Sequence, residues 1–161
     1  MVRAISHGHA TLPATWIVLA TFLTVASYLN ATSRGAIVKH GSLTSFLNGK
    51  VSAVELWREI EPEVKGCIAD CRNRGSGAVM ISGGPKTQIS RQQVAVLISA
   101  LIEGEIPMDA GSYIADALIM SDNFAWEDKG IADALFRLSD ESAPLTLVDL
   151  EWAKSRLTSA R

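Results

Sequence analysis

The sequence is poor in the residues on which most site chemistry depends. Its 161 residues include 3 histidines, 2 cysteines, 5 prolines and 6% aromatics, and the formal net charge is −2. Two cysteines cannot make a disulfide scaffold, and 12 glycines without a repeat exclude collagen. A near-neutral total gives no general reason to expect nucleic-acid binding. The length leaves room for one domain plus an appendage, which excludes large nucleotide-dependent barrels and two-domain enzymes. Against these shortages, 48% of the residues are hydrophobic, enough to fill a core and too many for wholesale disorder.

Charge is also missing locally. Between Arg3 and Arg34 there is no Asp, Glu, Lys or Arg for 30 residues, around an apolar stretch Trp16–Leu29 of 14 residues. A full membrane span takes about 20 apolar residues, and about 10–14 suits a signal peptide or a buried helix. Residues 1–40 therefore read in three ways. They are an anchor through residues 11–31, an export signal with a poor cleavage pattern at Leu29-Asn30-Ala31, or translated sequence upstream of a true start near Val38 or Gly41. As an anchor, with Arg34 and Lys39 following the segment, they would leave the rest of the chain in the cytoplasm, tethered to the inner membrane. His7 and His9 lack further ligands nearby and are read as part of a disordered terminus.

Residues 42–158 predict a mainly α fold, a compact bundle of five or six short helices. Leu43, Phe46 and Leu47 open it and Asn48-Gly49 stops the turn. Ser52 with Glu55 forms a capping box for a helix whose apolar face runs through Trp57, Ile60, Val64, Cys67, Ile68 and Cys71. Pro62 is expected to kink that helix or start a new one, and Arg72, Arg74 and Gly75 to end it. The Gly-rich stretch 75–89, around the apolar run Ala78–Ile81, predicts a loop or a short hairpin near Gly83-Gly84. Ser90 caps the next helix, bearing Val94, Leu97, Ile98 and Leu101. Gly104 and Pro107 punctuate the entry to one with Tyr113, Ile114, Ala117 and Leu118. After a loop at Ser121–Trp126 come Ile131, Ala134, Leu135 and Leu138. Thr146 and Asp149 cap a last helix with Leu147, Leu150, Trp152, Ala153 and Leu157 as its apolar side. Leu43–Val51 and Ile98–Ile106 share one pattern of helix end, Gly stop, charge and β-branched residue, which fits either a helical-hairpin duplication or common punctuation.

Catalytic and cofactor motifs are scarce. His40 is the one histidine of the helical part and is placed at its edge, so no Ser-His-Asp or Cys-His arrangement is on offer. Cys67 and Cys71 lack two further zinc ligands and read as a buried thiol pair, reduced if the domain is cytoplasmic. Gly83-Gly84-Pro85-Lys86-Thr87 has Pro85 and Met80 where a phosphate loop needs glycine. Asp116, Asp122, Glu127 and Asp128 could converge through the 121–126 loop, yet calcium-loop spacing is absent. No metal, cofactor or catalytic residue is expected, and the protein is read as a non-enzyme.

Charge distribution is the strongest functional signal. Residues 1–99 carry 10 basic and 5 acidic side chains, while residues 100–151 carry 12 acidic against Lys129 and Arg137, a balance of −10 over 52 residues. Such a field steers basic partners and repels nucleic acid and anionic membranes. Ordinary solvated faces and helix caps account for part of it. In Ser121–Asp128, Phe124 and Trp126 stand among acids, as interface anchors within a charged rim or as pins turned into the core. Candidate partner-binding residues are thus Asp116, Asp122, Phe124, Trp126, Glu127 and Asp128, with a basic protein as the expected partner.

The segment Leu43–Ile60, with Phe46-Leu47, the Gly49-Lys50-Val51 step and Ala53-Val-Glu55-Leu56, resembles the opening of the colicin D-type immunity proteins, and acidic 121–128 is similar to the acidic stretch of that family. The resemblance implies a small helical protein that binds and blocks a cationic RNase toxin. Two readings follow: a non-catalytic interaction domain with an acidic carboxyl-terminal half, of immunity type, or a membrane-tethered accessory protein with a cytoplasmic helical module.

Overall fold

The computed structural model describes residues 37–140 and 142–158. Most of the apolar segment expected at 1–40, with its candidate anchor at 11–31, lies outside them, as does Glu141. Among the described residues the chain forms six helices and four two-residue strands. The expectation of a mainly helical bundle is met.

Helix α1 (His40–Leu47) buries His40, Leu43, Phe46 and Leu47 along one side. Gly49 follows at φ 69°, a left-handed turn that favours glycine. Helix α2 (Ala53–Arg74) starts at the expected capping box: the Glu55 N–H donates to Ser52 Oγ at 3.2 Å and the Ser52 N–H to Glu55 Oε2 at 3.0 Å. It continues through Pro62 over its 22 residues, so no fresh helix begins there. Proline deprives the Arg58 carbonyl of its helical donor, but Arg58 and Pro62 are exposed and water can serve that oxygen. Gly75 at φ 75° ends the helix after Arg72 and Arg74.

The hairpin expected within 75–89 does not form. Strand β1 (Ile37–Val38) pairs in parallel with β2 (Met80–Ile81), and β3 (Thr87–Gln88) pairs in parallel with β4 (Phe124–Ala125). Each strand of the Gly-rich stretch is thus matched to a distant segment. Their backbone groups are taken up by β1 and β4 instead, so none is left for a ladder between β2 and β3. Further bonds extend both ladders, from the Ser82 N–H to the Val38 carbonyl at 2.8 Å and from the Ile89 N–H to the Ala125 carbonyl at 2.8 Å.

Helix α3 (Arg91–Ile102) begins at a second capping box, Ser90 with Gln93, and buries Val94, Leu97, Ile98, Ala100 and Leu101. It packs against α1, and against α4 (Met108–Met120), α5 (Lys129–Ser139) and α6 (Leu147–Thr158). On α4, Gly111 makes room for the Leu101 side chain of α3, since a Cβ there would lie 2.7 Å from a Leu101 methyl. Helix α6 buries only Leu150, Ala153 and Leu157. Leu147 and Trp152, expected on its apolar side, are exposed. Thr146 and Asp149 cap it reciprocally, as expected, with the Thr146 N–H on Asp149 Oδ2 at 2.9 Å.

Two polar nodes lock these elements together. Arg91 donates from Nε to Asp128 Oδ2 at 2.8 Å, from Nη2 to Asp128 Oδ1 at 3.1 Å, and from Nη1 to the Leu157 carbonyl at 2.9 Å. It thereby ties the start of α3 to the start of α5 and the end of α6. The second node is His40. Far from lying at an edge, its ring is buried, stacked on Phe124 with centroids 4.7 Å apart and 12° between planes. Its Nε2 lies 3.3 Å from Thr87 Oγ1, and its backbone N–H donates to Ser82 Oγ at 3.0 Å.

Candidate functional site

The buried stripe of α2 stops at Val64. Beyond it Cys67, Ile68 and Cys71 are half-buried, because there α2 leaves the core and becomes one wall of a cleft. The cleft has a volume of about 880 Å³, and its other walls are the 77–79 segment, α4 and the connection bearing Asp140, Ser142 and Leu145. Its lining is largely apolar, with Val64, Ile68, Val79, Met108, Met120 and Leu145. Three carboxylates, Asp109, Asp116 and Asp140, face a single cation, Arg72. Met120 is 68% exposed, a large apolar surface left open to water.

The charged groups differ in how firmly they are held. Asp116 accepts a hydrogen bond from Ser139 Oγ, which links α4 to the end of α5. Hydrogen bonds from the Ser142 side chain and backbone N–H, with Arg137 nearby, hold Asp140 below the usual carboxylate range. Asp149 is also held low, first by the Thr146 hydroxyl and then by Arg137, whose Nη2 lies 2.9 Å from its Oδ1. At the back of the cleft Tyr113 is buried and its hydroxyl finds no hydrogen-bond partner among the described residues. Burial first, then the charges of Glu63 and Cys67, push its pKa up to about 12. Burial likewise raises Glu63, against the pull of the Ile37 N–H.

The six residues singled out from the sequence do not form one site. Asp116 alone lines the cleft. Phe124 is buried against His40, and Trp126 is half-buried against the core, so both pin β4 inward. Asp128 caps α5 through the Gly130 and Ile131 N–H groups and is gripped by Arg91, which also holds its pKa down. Asp122 and Glu127 are exposed. Among the described residues no three His, Cys, Asp or Glu side chains converge as a metal ion would need.

The acidity of residues 100–151 is partly consumed inside the fold. Asp128, Asp133, Asp140 and Asp149 pair with Arg91, Arg156 and Arg137. Glu103, Glu105, Asp109, Asp122, Glu127 and Glu151 are exposed and form no ion pair among the described residues. Sequence reasoning missed Tyr113, Met108, Met120 and Leu145 as cleft residues. The one available signal was that Met120 lies off the Ile114–Leu118 stripe. The chain matches no family model, no curated protein and no solved structure.

Proposed function

We propose that the protein is a non-catalytic interaction domain whose α2–α4 cleft takes a basic, amphipathic segment of a partner protein. The observation that carries this reading is the cleft itself, an apolar trough bordered by three carboxylates and one arginine. Unpaired acids elsewhere in the carboxyl-terminal half supply a field that draws a cationic partner in. The thioethers of Met108 and Met120 are flexible and polarisable, which suits a surface that moulds itself to apolar anchors. Of basic partners, a cationic RNase toxin is the one suggested by the likeness of Leu43–Ile60 to immunity proteins. Blocking would then follow from occupancy, with no chemistry done by this chain.

The test is fluorescence anisotropy of a labelled amphipathic Leu/Lys peptide titrated with the full chain, beside a Leu/Glu peptide of the same pattern. The Leu/Lys peptide is expected to bind, to lose affinity as salt rises, and to bind about tenfold more weakly to the double variant Asp109→Lys/Asp140→Lys. Equal binding of both peptides, or an affinity indifferent to salt, would remove the reading.

A second reading, that residues 11–31 tether the domain to the inner membrane from its cytoplasmic side, is supported by the 30-residue uncharged run. Among the described residues no helix is long and apolar enough to cross a membrane. Cell fractionation decides it: the tethered form is recovered with membranes, whereas a wholly soluble product whose mass begins near residue 38 ends the idea.

A further inference from the structure

Cys67 and Cys71 stand one turn apart on the part of α2 that walls the cleft, as thiols and not as a disulfide. Both turn toward Gly77. A Cβ built on Gly77 would lie 2.6 Å from Cys67 Sγ and 2.7 Å from Cys71 Sγ. Two atoms at those distances from one point are at most 5.3 Å apart.

A helix places the Cβ atoms of residues four apart at about 5–6 Å. A disulfide wants them about 3.5–4.5 Å apart. Direct oxidation would therefore distort α2, whereas an atom set between the sulfurs would not. With metal–sulfur bonds of about 2.3 Å, a linear sulfur–metal–sulfur unit spans about 4.6 Å, inside the bound that Gly77 imposes. Zinc wants four ligands, and no third His, Cys, Asp or Glu joins this pair among the described residues. Soft ions accept thiolate and thioether donors, and Met108 and Met120 line the same cleft.

A separate observation points to the same place. The Tyr113 hydroxyl belongs to the lining of the same cleft and is buried without a hydrogen-bond partner among the described residues. A buried donor left idle in the wall of a cleft gains a partner when a charged metal–thiolate unit forms there, as outer-shell donors do in metal sites.

We propose that Cys67 and Cys71 form a two-coordinate site for a soft monovalent ion, copper(I), with Gly77 leaving the gap open and the Tyr113 hydroxyl of the same cleft as an outer-shell donor. Binding joins one copper(I) to two sulfurs, releases both thiol protons to solvent and leaves one net negative charge on the complex. No electron is transferred. The site stands independently of the peptide-docking reading, since it needs only the two thiols.

The experiment is an anaerobic titration of the reduced full chain with copper(I) in competition with a chromogenic copper(I) chelator, with zinc(II) as comparison. One equivalent of copper(I) is expected to leave the chelator. Cys67→Ser and Cys71→Ser are each expected to lower affinity by at least about 100-fold, more than loss of an outer-shell partner, and Tyr113→Phe by about tenfold. Gly77→Ala keeps both thiols, which a thiol-reactive dye counts, and is expected to lose at least about tenfold because its Cβ enters the gap. Circular dichroism checks that each variant folds, and Cys67→Ala and Cys71→Ala replace any serine variant that does not. Copper(I) held by the double Cys→Ser variant as well as by the parent chain, retention of all copper by the chelator, or zinc(II) held by the pair as tightly, would each overturn the proposal.

Discussion

Leu97→Ala is expected to lower the unfolding free energy by about 3 kcal/mol. Leu97 is fully buried on α3, the helix packed against α1, α4, α5 and α6. Removing three carbons there forfeits transfer energy and leaves a void that rigid neighbours on several sides cannot close. Since domains of this kind are stable by about 5–15 kcal/mol, the loss is a large share of the total. Urea denaturation measures it as a fall in midpoint at constant slope. Val148→Ala is the comparison: Val148 is 76% exposed, so its truncation is expected to change stability by less than about 0.5 kcal/mol. A cost at Leu97 no larger than at Val148 would mean that α3 is not the centre of the bundle.

Gly84→Val is expected to cost about 2–3 kcal/mol, felt at the His40 ring. A Cβ on Gly84 would lie 2.3 Å from His40 Cγ and Nδ1. The ring has little freedom to move, because it is buried and stacked on Phe124. Its backbone and its Nε2 are further engaged by Ser82 and Thr87. The strain must therefore move either β4 or the Gly-rich segment. Gly83→Ala next door is the control, since nothing lies within 4 Å of its added Cβ and its φ is not positive. Thermal denaturation should show a fall of about 10 °C for Gly84→Val and almost none for Gly83→Ala.

What could be read from the sequence was whatever is written within about six residues. The capping box of Ser52 with Glu55, the Ser90 cap and the Thr146–Asp149 cap are local chemistry and all appear. The likeness of Leu43–Val51 to Ile98–Ile106 is also real local structure. Gly49 and Gly104 adopt φ 69° and 71°, and the Lys50 and Glu105 N–H groups both reach back five residues, to Ser45 and Ala100. Shared stop geometry suffices to explain it.

What could not be read depends on distant partners. The pairings of Ile37 with Met80 and of Thr87 with Phe124 join two-residue strands far apart in the chain, too short to leave an alternating pattern. His40 looked peripheral because nothing near it announces that Gly84 and Phe124 will close on its ring. Asp128 looked available to a partner because its bond to Arg91, 37 residues away, carries no local signature. The apolar side of α6 was read two residues too wide, at Leu147 and Trp152, which lie outside the buried Leu150–Ala153–Leu157 stripe. The cleft is assembled from α2, α4 and two connections, so only Asp116 of its lining was singled out beforehand.

The docking reading is tested most directly by the methyl groups of the methionines. With the full chain labelled at methionine methyls, Met108 and Met120 line the cleft while Met80, half-exposed on β2, does not. On addition of the Leu/Lys peptide, the Met108 and Met120 signals are expected to shift together in proportion to bound peptide and the Met80 signal to stay in place. A bound peptide that leaves Met108 and Met120 unmoved would contradict the account.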